Sequence, residues 1–205
     1  MFRYGCMGSG KSLQLLATAH NFQEHKIPFL IFKSSIDDRD GVDVIHSRAM
    51  EDRECVSLYP TDDAYTIISD FIDCNRVLME PKLRWILVDE AQFLTPEQVD
   101  EFAAIADKLG INVICYGLRT DFKSELFPGS KRLFEICDSM EEIKSSCNCG
   151  SKTIFNARVT EDGNIVTEGK QVEIGGDDRY TTMCRRCYFT KIGKSHYGKK
   201  DESDA

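Results

Sequence analysis

No stretch of this 205-residue chain approaches the roughly 18 consecutive apolar residues that a membrane-spanning helix needs. The opening Met1-Phe2-Arg3-Tyr4-Gly5 also lacks the apolar segment of a secretory signal. Nor is there a basic excess: 26 Lys and Arg face 34 Asp and Glu, for a formal net charge of −8. Phosphate contacts need a basic surface, so a protein held on nucleic acid by overall cationic character is excluded. A local basic pocket for a small phosphorylated ligand is not. Internal repeats and low-complexity segments are absent. What is present is 41% hydrophobic and 29% charged residues, the composition of a soluble globular protein. The length suits one α/β domain with a small accessory lobe. The expectation is a cytoplasmic protein with neither a membrane nor a nucleic acid as partner.

Nine cysteines would suggest a disulfide scaffold in a short secreted chain, but the number is odd and no export signal precedes them. A reducing compartment is the better reading. Four of them, Cys147-x-Cys149 and Cys184-x-x-Cys187, stand in pairs at ligand spacing. Paired thiolates of this kind make a tetrahedral four-sulfur site of structural role, with Zn²⁺ as the natural occupant. Such an ion can hold together a lobe too small to build its own core. The other five (Cys6, Cys55, Cys74, Cys115, Cys137) read as small buried hydrophobes.

The first two thirds of the chain alternate strand and helix. Phe2–Tyr4 is a short apolar lead-in, with only four residues before Gly5 against the usual ~5–6 of a strand. Leu15, Ala19 and Phe22 form a helical stripe within Ser12–His25. Pro28–Lys33, Trp85–Val88 and Ile111–Tyr116 carry the continuous apolar runs of buried parallel strands. Thr95, Pro96 and Gln98 set up a capping box, and Gly110 closes that helix. The fold expected over residues 1–143 is a phosphate-loop α/β domain, a parallel sheet flanked by helices. Over residues 144–196 a zinc-bound β-ribbon lobe follows. There Lys152–Val159 and Val172-Glu173-Ile174 are the strands, with a turn at Asp162-Gly163-Asn164 between them. Residues 197–205 are polar, and a disordered tail is expected there.

Gly5-Cys6-Met7-Gly8-Ser9-Gly10-Lys11-Ser12 matches G-x-x-x-x-G-K-[ST] without a mismatch, after a strand and before a helix. Glycines let backbone N–H groups turn inward around phosphate oxygens, and the helix adds its positive end. Lys11 would pair with the β/γ-phosphates of ATP, and the Ser12 hydroxyl would sit on Mg²⁺. The run Trp85–Val88 ends in Asp89-Glu90. Asp89 is the candidate for the Mg²⁺ sphere and Glu90 the candidate general base toward a substrate hydroxyl. Asp89-Glu90-Ala91-Gln92 also resembles a helicase motif, which keeps a nucleic-acid motor as a competing class. The chain's charge and size offer neither the basic face nor the second arginine-bearing lobe that such a motor needs.

Together these features resemble the type II thymidine kinases, over almost the whole chain. The phosphate loop with Met7, Asp37-Asp38-Arg39, and Asp89-Glu90-Ala91-Gln92-Phe93 are similar to that family. So are Tyr116–Phe122, Glu125-Leu126-Phe127, Cys147-Asn148-Cys149-Gly150, and Ile174-Gly175-Gly176 leading to Tyr180 and Cys184. Cys6 and Gly8 depart from the usual loop residues, and the His46–Ala49 segment matches too loosely to assign. The resemblance implies transfer of the ATP γ-phosphate to the 5′-hydroxyl of thymidine, with Glu90 as base. Asp37 and Arg39 would join residues 5–12 and 89–92 around the triphosphate and metal. A lasso from Lys144 to Cys187, tied down by zinc, would cover the nucleoside. Met7, Phe93, Leu118, Phe122, Phe127 and Tyr180 would form the thymine pocket, with main chain near Ile174 and Tyr180 supplying polar contacts. A homotetramer inhibited by dTTP is implied as well. A kinase preferring deoxycytidine or a purine nucleoside, and a catalytically silent module, are the remaining alternatives. The second is disfavoured by the presence of Lys11, Ser12, Asp89 and Glu90.

Overall fold

The computed structural model describes residues 1–37, 43–47, 50–75, 82–171 and 179–193. Strand β1 (Phe2–Gly5) leads through the phosphate loop into α1 (Lys11–Glu24), followed by β2 (Phe29–Ser34). A small hairpin, β3 (Val44–Ser47) and β4 (Met50–Glu54), precedes β5 (Val56–Leu58), α2 (Ala64–Asn75) and β6 (Trp85–Asp89). A 3-10 turn at Ala91–Phe93 then opens onto α3 (Pro96–Leu109), β7 (Asn112–Leu118), α4 (Pro128–Ile136) and β8 (Met140–Ile143). The lobe contributes β9 (Phe155–Arg158), β10 (Tyr180–Met183) and α5 (Arg185–Lys191).

The main sheet has six strands in the order β5-β2-β6-β7-β1-β8, and every pairing in it is parallel. In a strand, successive side chains face opposite ways, and β6 shows what that requires of a sheet covered twice. Ile86 and Val88 join Phe2, Phe32 and Cys115 under Val99, Phe102 and Ile105 of α3. Leu87, between them, joins Ile31, Ile114 and Tyr116 under Leu15, Leu16 and Ala19 of α1. The parallel sheet with helices on both faces is thus as the apolar runs require.

Helix α3 begins as expected. The Thr95 hydroxyl accepts from Gln98 N at 3.1 Å, and Gln98 Oε1 accepts from Thr95 N at 3.2 Å. Gly110 closes the helix at φ 67°, a left-handed conformation that glycine takes without Cβ strain. Gln98 also donates to the carbonyl of Tyr59 at 2.7 Å, so the cap pins the loop before α2 as well.

One of the lobe's expected strands is described, and it is covered on both faces. The described partner of β9 is Tyr180–Met183, antiparallel, while Val172-Glu173-Ile174 lies outside the described residues. And β9 does not alternate between buried and exposed: Phe155, Asn156, Ala157 and Arg158 are all buried. The reason is that the strand is covered on both faces. Phe155 and Ala157 enter the lobe's own cluster with Met183 and Tyr188, whereas Asn156 and Arg158 press against the sheet domain. The turn at residues 162–164 is present, with Gly163 at φ 78°.

The start of α4 lies so close to the turn after β6 that a side chain does not fit between them. A Cβ at Gly129 would stand 2.6 Å from the Ala91 carbonyl oxygen and 2.7 Å from that of Leu94. Both neighbours are backbone and cannot swing aside. Gly129→Ala should therefore cost about 1–3 kcal/mol of overpacking strain, outweighing the ~0.5–1 kcal/mol that alanine normally gains in a helix. A lowered urea midpoint at constant m value is the expected reading. A midpoint equal to or above that of the unsubstituted protein would contradict the contact.

Candidate functional site

The phosphate loop curls at the carboxyl end of β1, between β7 and the edge strand β8. Gly8 and Gly10 hold φ of 66° and 88°, conformations that side-chain-bearing residues rarely adopt, so these two glycines shape the cradle. Gly5 is needed for a different reason. A Cβ there would meet the Ile143 carbonyl of the neighbouring strand at 2.8 Å. Lys11 is buried and its Nζ donates to the Cys6 carbonyl at 2.9 Å, folding the ammonium back over the loop. Ser9 Oγ is buried and without a hydrogen-bond partner among the described residues. An orphaned hydroxyl inside a ring of glycines at a helix N-terminus is what a phosphate-binding cradle leaves for its ligand.

Two buried acids stand at or just past the carboxyl ends of β6 and β2. Asp89 ends β6 with 2% of its surface exposed. Burial, and then the Glu90 charge beside it, pushes its carboxyl up to about 7, while a hydrogen bond from Ser12 and the Lys11 charge pull the other way. A carboxylate so poorly solvated gains much from a divalent cation, and Ser12 stands beside it. The residues fit a Mg²⁺–nucleotide. Asp37, after β2, is also buried and lies 3.6 Å from the buried Lys33 Nζ. Lys33 is register-paired with Asp89 across the sheet. In the sequence the charge of Lys33 is hidden at the end of an apolar strand. Arg39 lies outside the described residues.

Glu90 is held in a strained backbone. Its φ of 49° and ψ of 38° are left-handed, uncommon for a residue with a side chain and frequent at functional sites. Gln92, 1% exposed, donates from Nε2 to Glu90 Oε2 and accepts at Oε1 from Leu118 N at 2.9 Å. One buried amide thus orients the candidate base and fixes the end of β7. Gly117 makes room for it, since a Cβ there would lie 2.9 Å from Gln92 Oε1.

The expected thymine-pocket residues fall into two groups. Phe93 and Phe127 pair edge to face, centroids 5.6 Å apart, and Leu118 and Met7 are half-buried. Phe122 is 2% exposed, with the Arg158 guanidinium 3.9 Å above its ring. Arg158 also donates to the Tyr180 hydroxyl, from Nε at 3.0 Å and from Nη2 at 2.8 Å. Phe122 and Tyr180 are therefore joined by a buried arginine that no motif revealed. Ile174 lies outside the described residues.

In the lobe, the sulfurs of Cys147, Cys149, Cys184 and Cys187 all lie within 4.8 Å of one another. Cys149 Sγ and Cys184 Sγ are 3.6 Å apart, close to the roughly 3.8 Å edge of a tetrahedron with metal–sulfur bonds near 2.3 Å. The donor set fits a metal such as zinc. Gly150, at φ 83°, makes the tight turn after the first pair, and Cys184 Sγ accepts from Cys187 N at 3.5 Å to start α5. Hydrogen bonds from Ser151 hold the Cys149 thiol down to about 5, whereas hydrogen bonding to Cys149 and Cys184 pushes Cys187 up to about 12. Among the other five, Cys6 and Cys115 are buried and Cys55 and Cys137 half-buried, but Cys74 is exposed, contrary to expectation.

Fold and site together define the class of a phosphate-loop phosphotransferase with a four-cysteine lobe docked on its 119–122 segment. Comparison with known sequences sharpens this. The thymidine kinase family profile (TK) matches residues 1–188. The chain is 42% identical over 191 residues to the thymidine kinase of Pasteurella multocida (strain Pm70), covering 93% of this chain and 96% of the relative. It is 44% identical over 188 residues to that of Chromobacterium violaceum, covering 91% and 96%. With that of Vibrio cholerae serotype O1 it shares 42% over 193 residues, covering 94% and 97%. This chain belongs to the thymidine kinase family.

The thiols give a test of the lobe's electrostatics. Burial pushes Cys55 to about 11 and Cys115 to about 12, so both stay protonated and slow at neutral pH. In chelator-treated protein at pH 6.5, iodoacetamide should alkylate Cys149 well before either, because pH 6.5 lies above the lowered value and far below the raised ones. Peptide mass spectrometry reads the order. Equal rates at the three positions would contradict it.

Proposed function

We propose that this chain is an ATP:thymidine 5′-phosphotransferase, forming dTMP and ADP for deoxynucleotide salvage in the cytoplasm. The observation that carries the proposal is the joining of a phosphate cradle, Glu90 and an aromatic pair in a member of the thymidine kinase family.

The chemistry follows from the residues. Residues 5–12 and Lys11 hold the triphosphate, and Ser12 with Asp89 receives Mg²⁺, which supplies charge neutralisation on the phosphates when bound. Asp37 and Arg39 complete the charged surround, as the family resemblance implies. Glu90 takes the proton of the nucleoside 5′-hydroxyl as its oxygen bonds to the γ-phosphorus and the bond to the ADP oxygen breaks. Gln92 keeps the Glu90 carboxylate turned toward that hydroxyl. Phe93 and Phe127 offer the thymine ring a flat apolar wall, Met7 and Leu118 border it, and Phe122, Tyr180 and main chain near Ile174 complete the enclosure. Residues 144–196 form the lid, closed around Zn²⁺ on Cys147, Cys149, Cys184 and Cys187. Excluding water there protects ATP from hydrolysis. A homotetramer subject to dTTP inhibition completes the proposal.

Two measurements test it. In Glu90→Gln, kcat should fall about 10²-fold or more while the Kd for an ATP analogue stays within a few fold, since loss of a general base touches only the proton transfer. Near-normal turnover would remove Glu90 from that role. Metal analysis should find one zinc per chain, absent from Cys184→Ser, with zinc affinity weakening as pH falls because the thiolates must be deprotonated to bind. Stoichiometric zinc retained by Cys184→Ser would overturn the four-sulfur site.

A further inference from the structure

Asn156 belongs to β9 of the lobe, yet its side chain serves neither the ribbon nor the sulfur cluster. It is 3% exposed. Its Oδ1 accepts from the backbone N of Met7 at 2.8 Å, and its Nδ2 donates to the carbonyl of Thr120 at 3.0 Å. These partners lie 149 and 36 residues away along the chain, one in the phosphate loop and one just past β7. Because a backbone N–H only donates and a carbonyl only accepts, the amide can sit in one orientation alone. Both partners are main chain, so the contact fixes backbone position.

The neighbouring contacts show that the lobe is seated at this seam. Arg119 Nη2 donates to the Ile154 carbonyl at 3.1 Å, and the Tyr188 hydroxyl donates to the Phe122 carbonyl at 3.0 Å. Those hold the lobe to the 119–122 segment. Asn156 carries the connection onward into the phosphate loop. If the lobe lifts, the Met7 N–H and the Thr120 carbonyl exchange these bonds for bonds to water, and the loop loses a tie that fixes its backbone at Met7. The seated lobe and the present curvature of the loop are therefore stable together.

We propose that Asn156 is a positioning residue that couples nucleoside binding to triphosphate binding, by tying the Met7 amide of the phosphate loop to the seated lobe. The inference rests on the thymidine kinase reading. A nucleoside that draws the lobe onto its seat then favours the loop geometry that holds phosphate. By linkage a triphosphate must favour nucleoside binding by the same factor.

Calorimetric titration of the zinc-loaded, full-length protein with a non-hydrolysable ATP analogue, with and without saturating thymidine, measures that factor. In the unsubstituted protein thymidine should tighten analogue binding by about 5-fold or more, within the usual range for coupled sites. In Asn156→Ala the factor should drop to within about 2-fold of unity while bound zinc is retained. Merely lowered stability would not produce that change. Asn156→Asp keeps an acceptor for Met7 but loses the donor to Thr120, and should keep an intermediate factor. It is the deciding variant if the alanine protein does not fold. An undiminished factor in a folded variant, or a factor of one in the unsubstituted protein, overturns the coupling. Parallel product analysis separates this from the underlying reading: dTMP formed without coupling sinks this inference alone, whereas no dTMP counts against the kinase assignment.

Discussion

The site depends on one crowded turn, the five residues after Val88. There the chain leaves β6, passes through a left-handed Glu90 and winds once before Leu94. Glycine at 117 and at 129 lets β7 and α4 come against it without a Cβ between. The closeness does two things at once. It supplies the packing that keeps Glu90 in a conformation an isolated peptide would avoid, and it brings Gln92 within reach of both Glu90 and Leu118. Glu90, the proposed base, and Phe93, of the proposed acceptor wall, then share a single rigid support. Ser130 Oγ, donating to the Leu118 carbonyl at 2.5 Å, extends that support into α4.

Charge is arranged to complement a ligand. Asp37 and Asp89 are buried carboxylates at the carboxyl ends of β2 and β6, and the buried cations near them are Lys11 and Lys33. Burying like charges is tolerable only where a cation offsets them, and in the proposed function Mg²⁺–ATP would bring both a cation for the acids and phosphates for Lys11. The overall charge of −8 is no obstacle, because the attraction is local and short-ranged within the cradle.

Much of this was legible in the sequence, and the exceptions share a cause. Apolar runs and the Thr95–Gln98 box announced β2, β6, β7 and α3 because their signals are local. Strand β8, Met140-Glu141-Glu142-Ile143, gives no such signal: half of it is acidic, and it is a strand only because β1 pairs with it. Helix α4 begins Pro128-Gly129, whose glycine reads as a turn until its contact with the Ala91 carbonyl is seen. In the site, Lys11, Asp89 and Glu90 announced themselves through spacing. Asn156 and Arg158 did not, since their partners Met7, Thr120, Phe122 and Tyr180 are far apart in the chain or chemically unremarkable. The β9 strand shows the same limit. A polar residue at every second position reads as a solvent-facing edge, and here it marks a seam between two parts of the molecule.

The most direct test of the account is the fate of the γ-phosphate of labelled ATP when the protein is offered a panel of nucleosides. Label recovered in dTMP, with deoxycytidine and purine nucleosides poor acceptors, is the predicted result. Label released as free phosphate with no nucleotide product, whatever nucleoside is present, would contradict the assignment of the cradle, Glu90 and the aromatic pair to one phosphoryl transfer.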